Sequence, residues 1–178
     1  MTLASTSNSY TFRGRLNSTF PSQIIVDATE VCNLGCVHCP HPAFKNSPHY
    51  GARYLDKAVH NRMIDEVKKY GKNKTQYIRY TSNGEPLIHP DIYDMLDYAV
   101  SNSGVFVTLT TNGTIMNRKR IGRLLESGLH MVDISIDAFL PETYAVIRKG
   151  GDLSVTKRNV QTFIDLKNSL AAKTRIIV

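Results

Sequence analysis

The sequence predicts an α/β fold, a parallel sheet of repeated βα units. Three observations predict it. Short runs rich in Val and Ile alternate with longer stretches whose apolar residues recur at helical spacing, the order expected of a parallel sheet with right-handed crossovers. The runs have the Val/Ile-rich composition of strands covered on both faces. The segments rich in Gly, Asn, Ser and Cys all follow a run. They therefore gather at the carboxyl edge of the sheet, where folds of this kind bind ligands.

The elements follow in order. SQIIVDA (22–28) is short and β-branched and reads as the first strand. A cysteine-bearing loop follows and stays irregular through Pro48 and Gly51. Asp56 caps a helix over 56–70, with Val59, Met63, Ile64 and Val67 as its apolar face. TQYIRYTS (75–82) is the second strand, and NGEPLIHP (83–90) is a turn-rich loop. A helix starts at Asp91 and places Ile92, Met95, Leu96, Ala99 and Val100 on one side. GVFVTLTT (104–111) is the third strand, ended by Asn112-Gly113. Asn117 caps a helix carrying Ile121, Leu124 and Leu125, which Gly128 stops. HMVDISIDA (130–138) is the fourth strand, a loop leads to a helix over 153–170, and TRIIV (174–178) starts a fifth strand.

Size and composition bound the possibilities. A chain of 178 residues, 42% of them hydrophobic, suits one domain with a real core. The net charge of +7 invites a nucleic-acid partner, but the basic residues are dispersed. Lys68-Lys69, Arg118-Lys119-Arg120 and Lys157-Arg158 lie on or beside predicted helices, where solvated faces explain them. No apolar stretch is long enough to span a membrane. Residues 1–21 form a polar N-terminal tail without the apolar stretch of a secretion signal, and 22–178 form the core. Clustered cysteines without such a signal point to a reducing, cytoplasmic setting.

All three cysteines, Cys32, Cys36 and Cys39, fall in CNLGCVHC with the spacing CxxxCxxC. A disulfide framework uses even counts, so a metal site is the better reading. A structural zinc site closes with four ligands, and His38 or His41 could be the fourth. An iron–sulfur cube held by three thiolates instead leaves one iron open for a substrate.

CNLGCVHC after a first strand resembles the signature of the radical S-adenosylmethionine (SAM) superfamily. SNGEP after the second strand is similar to that family's GGEP segment, and TTNGT, ISID and IRKGG fall in family positions. The resemblance implies a partial (β/α)6 TIM-like barrel. It implies that Cys32, Cys36 and Cys39 hold a [4Fe–4S] cluster whose fourth iron takes SAM. An electron from the cluster then cleaves SAM, and the resulting 5′-deoxyadenosyl radical abstracts hydrogen from a substrate. The electron donor would be a flavodoxin or ferredoxin.

The family roles carry over residue by residue. Gly84 and Glu85 match the segment that receives the SAM amino group; Asn83 stands where a first Gly is usual. Asn tolerates the left-handed conformation, so the turn can survive there. His38 sits where the family places an aromatic beside the adenine, and imidazole is a smaller stacking surface. Ser135 matches a position that contacts the SAM carboxylate or ribose, and Arg148 resembles the arginine that pairs with that carboxylate. Asn112 and Asp137 end strands at the same rim. Plainer roles stand beside each: a turn for SNGEP, a small interior residue for Ser135, a surface arginine for Arg148, turn bonding for Asn112 and Asp137.

The substrate is not written in these motifs. HCPHP most resembles the branch with a C-terminal auxiliary-cluster domain (SPASM or twitch), whose members modify peptides or oxidise alcohols. That domain needs further cysteines, and none follows Cys39. Molybdenum-cofactor cyclases and glycyl-radical activases are the runner-up branches. Five strands against the six of a family barrel lead to the expectation of a truncated core, or of oligomerisation across the open edge. The competing functional class is a non-catalytic iron–sulfur or zinc module, or an inactive fragment.

Overall fold

The computed structural model describes residues 18–81 and 83–178. Most of the polar N-terminal tail, and Ser82 of the SNGEP segment, lie outside the described residues. Five strands form one sheet: β1 (Gln23–Val26), β2 (Tyr77–Tyr80), β3 (Phe106–Thr111), β4 (Met131–Ile134) and β5 (Arg175–Ile177). Spatial order equals chain order and every neighbouring pair is parallel. That singly wound order is the one a barrel uses, since a doubly wound sheet reverses its order part-way.

The helices between the strands are α1 (His41–Lys45), α2 (Lys57–Tyr70), α3 (Ile92–Ser103), α4 (Arg118–Glu126), α5 (Pro141–Ile147) and α6 (Leu153–Ser169), with a 3₁₀ turn at Pro86–Ile88. The capping residues act as expected. The Asp56 carboxylate accepts from the amides of Ala58 and Val59, and Asn117 Oδ1 accepts from Arg120 N. Gly128, at φ +70°, takes the left-handed step that turns the chain from α4 into β4.

Val26, Ile78, Tyr80, Val107, Leu109, Val132 and Ile134 are buried on one face of the sheet. They meet Ile64 and Val67 of α2, Met95, Leu96 and Ala99 of α3, Ile121 and Leu124 of α4, and Phe163 of α6 in one hydrophobic core. The other face differs from the expectation of doubly covered strands. It presents Tyr77, Arg79, Thr108, Thr110 and Asp133, and Ile25 there is 54% exposed. β2 and β4 therefore alternate between half-buried and buried residues, as strands covered on one side do.

Other departures have local causes. Two short helices, α1 and α5, lie in segments expected to be irregular; five and seven residues are too few to set up a helical period. Both begin with proline in the first turn, where its missing N–H costs nothing. On α2, Val59 is exposed and His60 is buried in its place. The ring keeps its position because His60 Nε2 meets Tyr80 Oη at 2.5 Å and His60 Nδ1 meets Asn61 Oδ1 at 2.9 Å. β4 ends at Ile134, so Ser135 and Asp137 stand in the loop after the strand rather than on it. Phe20, at the end of the tail, packs on the core beside Tyr70 with ring centroids 6.3 Å apart. No helix of the described residues is long and apolar enough to cross a membrane.

Glu30 fixes the exit from β1. Its carboxylate accepts from the amides of Gly51 and Arg53 and from Nε and Nη2 of the Arg53 side chain. The guanidinium of Arg53 holds the Glu30 carboxyl down at about 2, from an ordinary value of 4.5. Between those values the unfolded chain takes up a proton that the folded chain refuses, so lowering the pH favours unfolding. Acid titration of the unfolding midpoint is expected to show the advantage of the parent over Glu30→Gln above pH 4.5 and its loss toward pH 2. The advantage is expected to shrink in high salt, because the Arg53 side chain of the pair is exposed. Leu109→Ala, at a position with no exposure in the centre of the core, is expected to cost about 2–5 kcal/mol by urea denaturation.

Candidate functional site

A cleft of about 180 Å³ opens at the carboxyl ends of the strands, lined by Cys32, Cys36 and Cys39 together with residues from the loops after β2, β3 and β4. All the site residues singled out in the sequence line it except Asp137. Leu34, Thr81, Pro86, Thr110 and Thr111 line it as well. Of these, Thr110 and Thr111 carry the one signal visible beforehand, their place directly before Asn112-Gly113.

Backbone bonds hold the cysteine loop. Gly35 N donates to Lys149 O and Val37 N to Ile147 O, both at 2.9 Å, so the end of α5 and the residues after it run alongside the loop and fix it. Cys36 is buried and Cys32 half-buried. Burial pushes both thiols up; the charge of Arg148 opposes this at Cys36, and the Leu34 amide opposes it at Cys32. Among the described residues no three His, Cys, Asp or Glu side chains converge on a point for one ion. A cube does not ask them to, because each thiolate binds a different iron. Three thiols on one cleft are the donor set such a cluster takes. His41 spends Nε2 on Glu30 O at 2.8 Å, so the ring is engaged in holding the loop.

The SNGEP segment is shaped by a close approach of two backbones. A Cβ at Gly84 would lie 2.1 Å from Thr29 O and 2.6 Å from Val31 O, so only glycine fits. Glu85 N then donates to Val31 O at 2.9 Å. Asn83, standing in place of the usual glycine, donates from Nδ2 to Asp27 Oδ2 at 2.9 Å and ties the loops after β1 and β2 together. Glu85 itself is 3% exposed. Its Oε1 accepts from Thr111 Oγ1 (2.6 Å) and Leu87 N (3.2 Å), and its Oε2 accepts from Asn112 N (2.8 Å). Burial raises its pKa, against the pull of those donors and of Arg148.

The Asn112 side chain is a clamp. Its Oδ1 accepts from Thr114 N and Thr114 Oγ1, and its Nδ2 donates to Asn33 Oδ1 inside the cysteine motif. Asn33 in turn donates to Thr114 Oγ1 at 2.8 Å. Arg148 is 7% exposed and lines the cleft, so it is not a surface arginine. Its Nε donates to Asp137 Oδ2 at 2.5 Å. Asp137 sits behind it, with its Oδ2 3.7 Å from His38 Nε2. Ser135 lines the cleft and donates its amide to Thr111 O.

Comparison with known proteins assigns a family to this arrangement. The sequence profile of the radical SAM superfamily matches residues 26–178. The chain belongs to the radical SAM superfamily. An AdoMet-dependent heme synthase of Methanosarcina barkeri is 36% identical over 124 residues, covering 70% of this chain and 33% of that protein. A GTP 3′,8-cyclase of Desulforamulus reducens is 31% identical over 144 residues, covering 80% and 42%. The fold is shared with SuiB of Streptococcus suis bound to S-adenosylmethionine, at a TM-score of 0.69 and 18% identity, covering 89% of this chain and 34% of that one. It is shared also with anSMEcpe bound to AdoMet, at a TM-score of 0.64 and 21% identity, covering 88% and 43%. The chain thus spans between a third and a half of the length of these relatives. The radical SAM superfamily uses a [4Fe–4S] cluster and SAM as its cofactors.

Gly84→Ala is expected to destabilise the chain by about 1–3 kcal/mol in urea denaturation, because the new methyl group meets two carbonyl oxygens that belong to backbone and cannot swing away. An unchanged midpoint would mean that the two loops are further apart in solution.

Proposed function

We propose that this chain is the cofactor-binding core of a radical SAM enzyme. Cys32, Cys36 and Cys39 hold the [4Fe–4S] cluster, and SAM lies against it in the same cleft. The observation that supports this best is the meeting of three thiols, a buried carboxylate and a buried guanidinium around one small cavity. Once bound, the two cofactors supply reductive cleavage of SAM and abstraction of a hydrogen atom from the substrate. The side chains of the protein do the rest. Arg148 faces the SAM carboxylate, held in place through Nε by Asp137. Gly84 and Glu85 receive the SAM amino group through the backbone carbonyl and the acid. Asn83 and Asn112 fix the loops that carry those contacts, Ser135 meets the carboxylate or ribose, and His38 stacks by the adenine. The buried Leu34, Pro86 and Glu85 of the cleft wall keep water from the reacting atoms.

No side chain of this set acts as acid or base in the proposal; the protein binds and orients. The substrate is a peptide or a small molecule such as a sugar or alcohol, and the electron donor is a flavodoxin or ferredoxin. The setting is cytoplasmic, where clustered thiols stay reduced.

Anaerobic reconstitution with iron and sulfide, reduction, and electron paramagnetic resonance (EPR) with and without SAM test this reading. The expected result is a cube signal that changes when SAM is added. Cys36→Ala is expected to abolish the cube. Arg148→Met is expected to keep it while weakening SAM binding about tenfold or more, the cost of one charge-assisted contact. A cube indifferent to SAM, or zinc retained without a cube, would leave a non-catalytic module instead.

A further inference from the structure

The open face of the sheet carries polar groups for which the cofactors have no use. Arg79 on β2 donates from Nε to Thr110 Oγ1 at 2.9 Å and from Nη2 to Asp133 Oδ2 at 2.7 Å. Thr108 lies level with Arg79 in the register and on the same face. It is 3% exposed, and its hydroxyl has no hydrogen-bond partner among the described residues. A buried hydroxyl left so is costly, and such a group often marks the place of a missing partner. The Arg79 and Asp133 side chains stay 36% and 28% exposed, so each keeps free hydrogen-bonding capacity toward the open side. Thr110 also lines the cysteine cleft, so Arg79 is bonded to a residue of the cleft wall.

The charge balance of the cluster names its ligand. Arg79 is already neutralised by Asp133. An added anion would face the Asp133 carboxylate and an added cation the guanidinium, each at a repulsive cost. An amide edge satisfies both sides: a ring amide, or the N–H and C=O of one residue in an extended peptide, sets a carbonyl that accepts from Arg79 beside an N–H that donates to Asp133. Ile25 and Met131 border the cluster in register and offer apolar surface beside it. We infer that Arg79 and Asp133, with Thr108 packed beneath them, form a recognition subsite for an amide edge of the substrate. This rests on the reading that a substrate enters the cleft, and it adds the chemical class recognised there.

Saturation-transfer NMR on the full reconstituted chain tests the inference, with N-acetylglycine N-methylamide as an acyclic amide, hypoxanthine as a ring amide and inorganic triphosphate as an anion. The expected result is that an amide probe binds and triphosphate does not, and which amide binds tells an acyclic from a cyclic source. Arg79→Met is expected to weaken the amide about tenfold or more. Asp133→Asn, nearly the same size, keeps the fold but leaves the guanidinium unneutralised, so triphosphate binding is expected to appear. Silence from both amides, equal amide binding by Arg79→Met, or tighter binding of triphosphate than of either amide by the parent would overturn the inference. Binding is measured with and without SAM and beside the EPR response. A missing SAM response therefore counts against the cofactor reading, and missing amide binding counts against the subsite.

Discussion

Glu85 brings a carboxylate into the interior at the point where the chain leaves β2, and three donors from the turn after β2 and the end of β3 close on it. A buried carboxylate is tolerated only when its lone pairs are met, and here three of roughly four are met by protein groups. The donors come from Leu87, Thr111 and Asn112, so meeting the charge fixes the relative position of two strand ends. Gly84 sets the third side. Its backbone touches the chain after β1 so closely that no side chain fits, and the amide of Glu85 reaches Val31 O across the same gap. Loops from three strands are thereby joined beneath the cysteines before any cofactor is considered.

The cysteine loop, otherwise short of regular structure, is braced from three directions. The end of α5 and the residues after it pair with it through Gly35 and Val37. The Asn112–Asn33–Thr114 triangle ties it to the end of β3. Glu30, through Arg53 and the amides of the following loop, closes its base. Such bracing matters because the buried thiols resist ionisation without a metal, and metal ligation must pay for that deprotonation. A loop already ordered loses little further entropy on binding, which leaves more of the ligation energy for the thiols.

Much of this was legible in the sequence because the signals were periodic or chemically narrow. Val/Ile-rich runs alternating with capped helices specify a parallel sheet, and Asp56, Asn117 and Gly128 act as their residue types suggest. The cysteine spacing and the Gly-Glu pair mark the cleft because few other arrangements need those residues at those places. What was not legible depends on contacts distant in sequence. His60 replaces Val59 on the buried face of α2 because Tyr80, twenty residues on, receives its ring. Asn112 and Asn33 are 79 positions apart, and nothing local marks them as partners. The helices α1 and α5 are too short for a period to show. Arg148 could not be told from a surface arginine, because its burial comes from tertiary packing that no local pattern marks.

The two ion pairs near the cleft, Arg148–Asp137 and Arg79–Asp133, differ in a way that bears on function. Arg148 is almost wholly buried while its partner is over a third exposed, so the pair presents a cation to the cleft and keeps its anion behind. That polarity suits an anionic group such as the carboxylate of SAM. Arg79 and Asp133 are exposed to similar degrees and stand side by side on the sheet, so together they present a dipole rather than a charge. The sheet registers make the difference unavoidable. Asp133 is level with Thr110 and Arg79 with Thr108, both on the face turned away from the hydrophobic core, whereas Asp137 lies beyond the end of β4, where the loop can turn it away. The cleft thus carries a charged wall formed by loops, and beside it the strands carry a neutral, hydrogen-bonding pair joined to the cleft through Thr110. Loops can be rebuilt around a cofactor common to a whole family, while a strand-borne pair is held by the ladder on both sides. That is why we place cofactor recognition on the first and substrate discrimination on the second.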